Sequence, residues 1–82
     1  MGRRIFTSVS GGKVTVSWRA ATDNVGVAFY RVMKNGRILT DVDASARSYR
    51  DDSPGSGYLR YSVTAFDAAG NASRPLARKI YR

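Results

Sequence analysis

Cysteine and histidine are both absent from this chain, and every one of its carboxylates is an aspartate. Without cysteine the fold owes nothing to disulfides, and neither a zinc–thiolate site nor a thiol nucleophile can be built. Without histidine the commonest general base and the commonest metal ligand at neutral pH are gone. No apolar run approaches the length that spans a membrane. Met1 is followed by Gly2, Arg3 and Arg4 and then by a strand-like stretch, with no apolar core of a signal peptide, so the sequence reads as either an intracellular chain or an excised module.

Eighty-two residues with a net charge of +8 are expected to form one domain, residues 1–82, near the low end of what folds alone. So small a core leaves little stability to spare, and aromatic and β-branched residues must supply much of its buried area. The positive excess favours anionic partners, although arginines on the outer faces of strands would produce the same excess with no partner at all.

Alternation dominates the pattern. In Lys13-Val14-Thr15-Val16-Ser17-Trp18-Arg19 the apolar residues share one face, the period of a half-buried strand. Tyr30 and Val32 continue it. Asn35-Gly36 then marks a tight turn, because both residues tolerate positive φ. Ile38, Leu39 and Val42 complete a hairpin, and Ser48-Tyr49-Arg50 is a further short strand. The longest strand runs from Tyr58 to Phe66 with Leu59, Tyr61, Val63 and Ala65 inward. Leu76 to Tyr81 is the last, with Leu76 and Ile80 preferred as its inward residues. The first is expected over Arg4 to Ser8. Seven short strands with regular turns between them are the pattern of an all-β sandwich. Its expected core is Val14, Val16, Trp18, Tyr30, Val32, Tyr49, Leu59, Tyr61, Val63 and Ala65.

Several pieces of the chain, taken in order, resemble a fibronectin type III domain of the bacterial kind appended to secreted glycoside hydrolases such as chitinases. They are Val14-Thr15-Val16-Ser17-Trp18, Thr22-Asp23-Asn24-Val25-Gly26-Val27, Tyr30-Arg31-Val32 with Asn35-Gly36, and Tyr61-Ser62-Val63-Thr64-Ala65-Phe66-Asp67-Ala68-Ala69-Gly70-Asn71. The resemblance implies a seven-stranded Greek-key β-sandwich with sheets A-B-E and C′-C-F-G, and a core filled by Trp18 at the end of strand B. It also implies a non-catalytic, cofactor-free, extracellular module. Two features depart from the family pattern. Leu59 stands where the family has a tyrosine that makes a corner hydrogen bond, and the usual proline-rich start of strand A is missing.

Nothing in the sequence resembles a catalytic triad, a phosphate loop or a paired-carboxylate cleft, so no enzyme activity is expected. Asp51 and Asp52 are adjacent and would point to opposite faces of a strand. Asp41 and Asp43 could share a face near a strand end. Asp23 and Asp67 fall in loops that the family places at one end of the sandwich. They are weak candidates for calcium, and capping of their own turns is the favoured reading. Asn71-Ala72-Ser73 matches a glycosylation sequon and is expected to be idle.

The outward face of strands C, F and G collects Phe29, Arg31, Met33, Tyr58 and Arg60, joined by Lys79 and Tyr81 in the last strand. Aromatic and guanidinium planes of this kind could stack on a sugar or an anionic polymer, or could simply pair across strands. Three functions follow as expectations. The first is a monomeric spacer or accessory module beside neighbouring domains of a polysaccharide-degrading enzyme. The second is a binding domain for anionic or cell-wall polysaccharide through the basic face, with nucleic acid ranked last among the anions. The third is an excised or engineered display scaffold.

Overall fold

A computed structural model of the chain describes residues 5–19 and 26–81. Among these residues seven strands follow one another: β1 (Ile5–Ser10), β2 (Lys13–Trp18), β3 (Val27–Lys34), β4 (Arg37–Asp43), β5 (Ser48–Asp51), β6 (Tyr58–Asp67) and β7 (Leu76–Tyr81). They form two antiparallel sheets, ordered β1-β2-β5 and β4-β3-β6-β7. These are the A-B-E and C′-C-F-G sheets expected from the resemblance. The first strand, expected over Arg4 to Ser8, extends to Ser10, and Arg4 lies outside the described residues.

The core lies between the sheets and follows the alternation strand by strand. Ile5, Val14, Val16, Trp18, Tyr30, Val32, Leu59, Tyr61, Val63 and Ala65 are buried in one cluster. Trp18 packs on Tyr30 with ring centroids 5.7 Å apart. The cluster differs from expectation at two places. Ile5 enters it because β1 pairs Ile5 with Trp18, which carries the isoleucine to the inner face. Tyr49 packs against it only half-buried, because β5 is an edge strand of four residues.

The last strand has the expected register. Leu76 and Ile80 pack against the core, while Ala77, Lys79 and Tyr81 are exposed. Arg78 lies between the two apolar residues on the same side and is exposed, which an edge strand permits because its long side chain can bend out to solvent. The β3–β4 turn is built on Asn35 (φ 52°) and Gly36 (φ 82°), both in the left-handed region that two-residue hairpins require.

The sandwich is elongated, 36 × 19 × 19 Å. Its pairings define two poles. Ile5 lies opposite Trp18 at one pole. Val14 lies opposite Asp51 toward the other, where Tyr58 lies opposite Tyr81. The start of β1 and the end of β7 are therefore at opposite poles.

Candidate functional site

On the outer face of the four-stranded sheet the pairing register separates the expected site residues into two groups. Arg31 lies opposite Thr64, whereas Arg60 sits four positions earlier on β6 and lies opposite Lys79 on β7. At ~3.3 Å per residue, the two arginines start roughly 13 Å apart along the sheet.

The first group is self-contained. Phe29 stacks on Phe66, with centroids 4.9 Å apart and planes within 6°. The Arg31 guanidinium lies over both rings, 4.8 Å from the Phe66 centroid and 5.6 Å from that of Phe29. It donates from Nε and Nη2 to the two carboxylate oxygens of Asp41, at 2.8 and 3.1 Å. This two-pronged contact raises Arg31 further above its ordinary pKa and holds Asp41 below the usual carboxylate range. Asp41 thus sits near the end of β4, paired with Arg31, and Asp43 is the last residue of that strand. Asp43 shares its outward parity, with its carboxylate held low first by the Ser45 hydroxyl. Met33 is half-buried, opposite Ser62 and Ile38.

The second group is open. Tyr58 and Tyr81 face each other across β6 and β7, with centroids 4.7 Å apart and planes at 57°. They are the most exposed large hydrophobic residues described, at 76% and 71%. Beside them Arg60 and Lys79 are directly opposed. The described ion pairs join Lys13 and Arg50 to Asp52, Arg31 to Asp41 and Lys34 to Asp51, and neither Arg60 nor Lys79 takes part in any of them. Asn35 borders this corner, where its Oδ1 accepts from the Arg60 backbone N–H at 2.9 Å.

A polar cluster between the sheets was not legible as such. Asp51, at the end of β5, is buried. Its Oδ2 accepts from the Lys34 ammonium and the Tyr61 hydroxyl, both at 2.8 Å, and its Oδ1 accepts from the Ser53 N–H at 3.1 Å. Lys34 also reaches the Pro54 carbonyl at 3.3 Å. Burial pushes the Asp51 carboxyl upward, but the bonds from Lys34, Tyr61 and Ser53 outweigh it and hold the group below its ordinary value. Asp52, next in sequence and just past the end of β5, is exposed and pairs with Arg50 and Lys13. The signal for Lys34 was its parity: it shares the inward phase of Tyr30 and Val32. On either side of Leu59, the Tyr61 hydroxyl donates to Asp51 and Tyr58 lies on the open surface.

The Asp67 carboxylate is engaged by its own turn. Oδ1 accepts from the N–H groups of Ala69 and Asn71, and Oδ2 accepts from the Asn71 side-chain amide. Asp23 and Asn24 lie outside the described residues. In the sequon, the Ser73 hydroxyl accepts from the Ala65 N–H and donates to the Arg74 carbonyl.

Two sheets in these orders, packed over Trp18 and Tyr30, define a fibronectin type III-like domain. The fold matches the fibronectin(III)-like modules of Clostridium thermocellum CbhA with a TM-score of 0.70 at 17% identity, covering 94% of this chain and 93% of that one. By sequence its homologues are bacterial glycoside hydrolases. The chain is 37% identical over 72 residues to chitinase A1 of Niallia circulans, covering 88% of this chain and 10% of that enzyme. It is 41% identical over 69 residues to an alpha-amylase of the same organism, covering 82% of this chain and 5% of that enzyme. The chain thus spans a tenth or less of the length of these two relatives. No protein-family model matches it.

Proposed function

We propose that the chain is a non-catalytic accessory module of a secreted bacterial protein that degrades polysaccharide, and that it works as a monomeric spacer between neighbouring domains. The observation that carries this reading is the polar placement of its terminal strands. β1 starts at one pole and β7 ends at the other, so a module joined at both ends separates its neighbours along the 36 Å axis. Similarity to short stretches of both a chitinase and an alpha-amylase supports it, because a module shared by enzymes of different substrates is suited to a role other than substrate choice.

Excising the module from the full-length protein that carries it tests the proposal. Small-angle scattering should show a particle shortened by about the 36 Å of the module's long axis. Hydrolysis of soluble oligosaccharide should be unchanged, and attack on insoluble polymer should slow. Loss of turnover on the soluble substrate would assign the module a part in catalysis and overturn the spacer reading.

A further inference from the structure

We propose that the Tyr58–Tyr81 corner of the four-stranded sheet is a binding site for a carboxylate-bearing polysaccharide. The tyrosine rings would pack on the sugar faces, while Arg60 and Lys79 hold the carboxylates. The choice of a glycan rests on the accessory-module reading above, and the site itself rests on the geometry.

Three observations converge on this corner. The first is the pair of rings. Both lie at the pole where β7 ends, more than two-thirds exposed, on a protein whose other aromatics are mostly turned inward or covered. Their flat apolar faces offer dispersion and hydrophobic contact to the C–H faces of a pyranose, with a hydroxyl on each ring to bond the sugar's edge.

The second is the charge arrangement. Arg60 and Lys79 are cross-strand neighbours on one face. Like charges directly opposed in an antiparallel pair destabilise a sheet, so this pairing opposes the fold rather than supporting it. Elsewhere on the same face the protein shows the stabilising alternative, where Arg31 faces Asp41. An anion lying across β6 and β7 would relieve the Arg60–Lys79 repulsion, and it is the partner that these two side chains lack among the described residues.

The third is shape. Asn35, Tyr58, Leu59, Arg60 and Lys79 line an open groove of about 380 Å³, within the range of small-ligand sites. The Asn35 Oδ1 is held by the Arg60 N–H, which leaves the amide NH2 as a donor at the rim. The Tyr58 ring, two cations and an amide donor line one groove, with Tyr81 packed against Tyr58 beside it, and together they suit a repeating unit that carries both a sugar face and a carboxylate. The Phe29–Arg31 cluster offers no equivalent, since its guanidinium lies over both phenylalanine rings and is already held by a carboxylate.

Titration calorimetry with polygalacturonate as the probe tests the site. The parent chain is compared with R60Q/K79Q, with Y58A/Y81A, and with R74Q/R78Q. The last removes the same net charge from exposed positions outside the groove. Melting curves establish that each variant is folded. Affinity should fall on the order of tenfold in R60Q/K79Q, the scale of two exposed charge contacts, and by a similar factor in Y58A/Y81A. It should stay within about twofold of the parent in R74Q/R78Q and weaken as salt is raised. No binding by the parent overturns the site. So does an equal loss in both charge variants, binding of a neutral glucan as tight as that of polygalacturonate, or tighter binding of single-stranded DNA. Each of these results leaves the excision experiment to decide the spacer reading by itself.

Discussion

The Lys34 ammonium lies 2.8 Å from the Asp51 carboxylate, joining the end of β3 in one sheet to the end of β5 in the other. Tyr61 completes the contact from β6. This is the polar fastening of the pole opposite Trp18, set among the buried Val14, Leu59 and Tyr61.

Removing Asp51 alone should therefore be costly. Asp51→Ala leaves a half-buried ammonium and a buried phenol without their shared acceptor. A loss of about 3–5 kcal/mol is expected, the range for breaking one partner of a buried pair. Replacing both ions by apolar residues, Lys34→Met with Asp51→Leu, should cost less than Asp51→Ala, because no uncompensated charge remains. Urea unfolding of the three proteins checks the order, and a double variant less stable than the single one would contradict it.

Acid should weaken the fold in a defined window. Asp41, Asp43, Asp51 and Asp67 are all held below the ordinary carboxylate value of 3.8. A depressed carboxylate contributes stability that is present above its unfolded pKa and lost as pH falls through its folded pKa. The melting temperature should thus hold down to about pH 5 and drop below about pH 4. With no histidine in the chain, no side chain of ordinary pKa titrates between about pH 5 and 8. A midpoint of destabilisation near pH 6 would be inconsistent with this assignment.

Trp18→Ala should cost about 3–5 kcal/mol, the range for truncating a large aromatic in a core. Trp18 is 3% exposed and packs on Tyr30 between the sheets. An unchanged melting temperature would mean that the inner face has been misassigned.

Asn35→Ala should destabilise through two routes. Alanine resists the left-handed conformation found at Asn35, at about 1–2 kcal/mol. It also withdraws the acceptor of the Arg60 N–H, a bond of the sort worth about 1 kcal/mol. Asn35→Gly removes only the second contribution, so the difference between the two variants in denaturant melts isolates the backbone strain.

Much of this architecture could be read from alternation alone. A residue such as Val16 or Val63 declares its face by its parity, and the Asn35-Gly36 pair declares its turn. The contacts between strands distant in sequence could not be read in that way. Even within the β3–β4 hairpin, that Arg31 meets Asp41 depends on the bulge between Val32 and Met33, which shifts the register by one residue, and that Arg60 meets Lys79 depends on the register of β6 with β7. Parity turns Tyr61 inward, but its hydroxyl partner lies in β5, ten residues away and across the core. Periodicity carries no information about such a contact. Ile5 is hidden for a related reason: the six residues of β1 are too few to set its inward face, and pairing with Trp18 sets it.

The opposite placement of the two terminal strands has a mechanical consequence. Traction applied through the neighbouring domains would draw Ile5 and Tyr81 apart along the long axis. β1 and β7 would then be loaded lengthwise, each held by six residue pairs to its neighbour. Ladders loaded in this direction slide in shear, so their bonds share the force instead of opening one after another like a zip. Resistance to pulling is then set by the height of the unfolding barrier rather than by equilibrium stability. A small domain of modest thermodynamic stability can in this way remain intact under a pull between its two ends, which is what the proposed spacer role would ask of it.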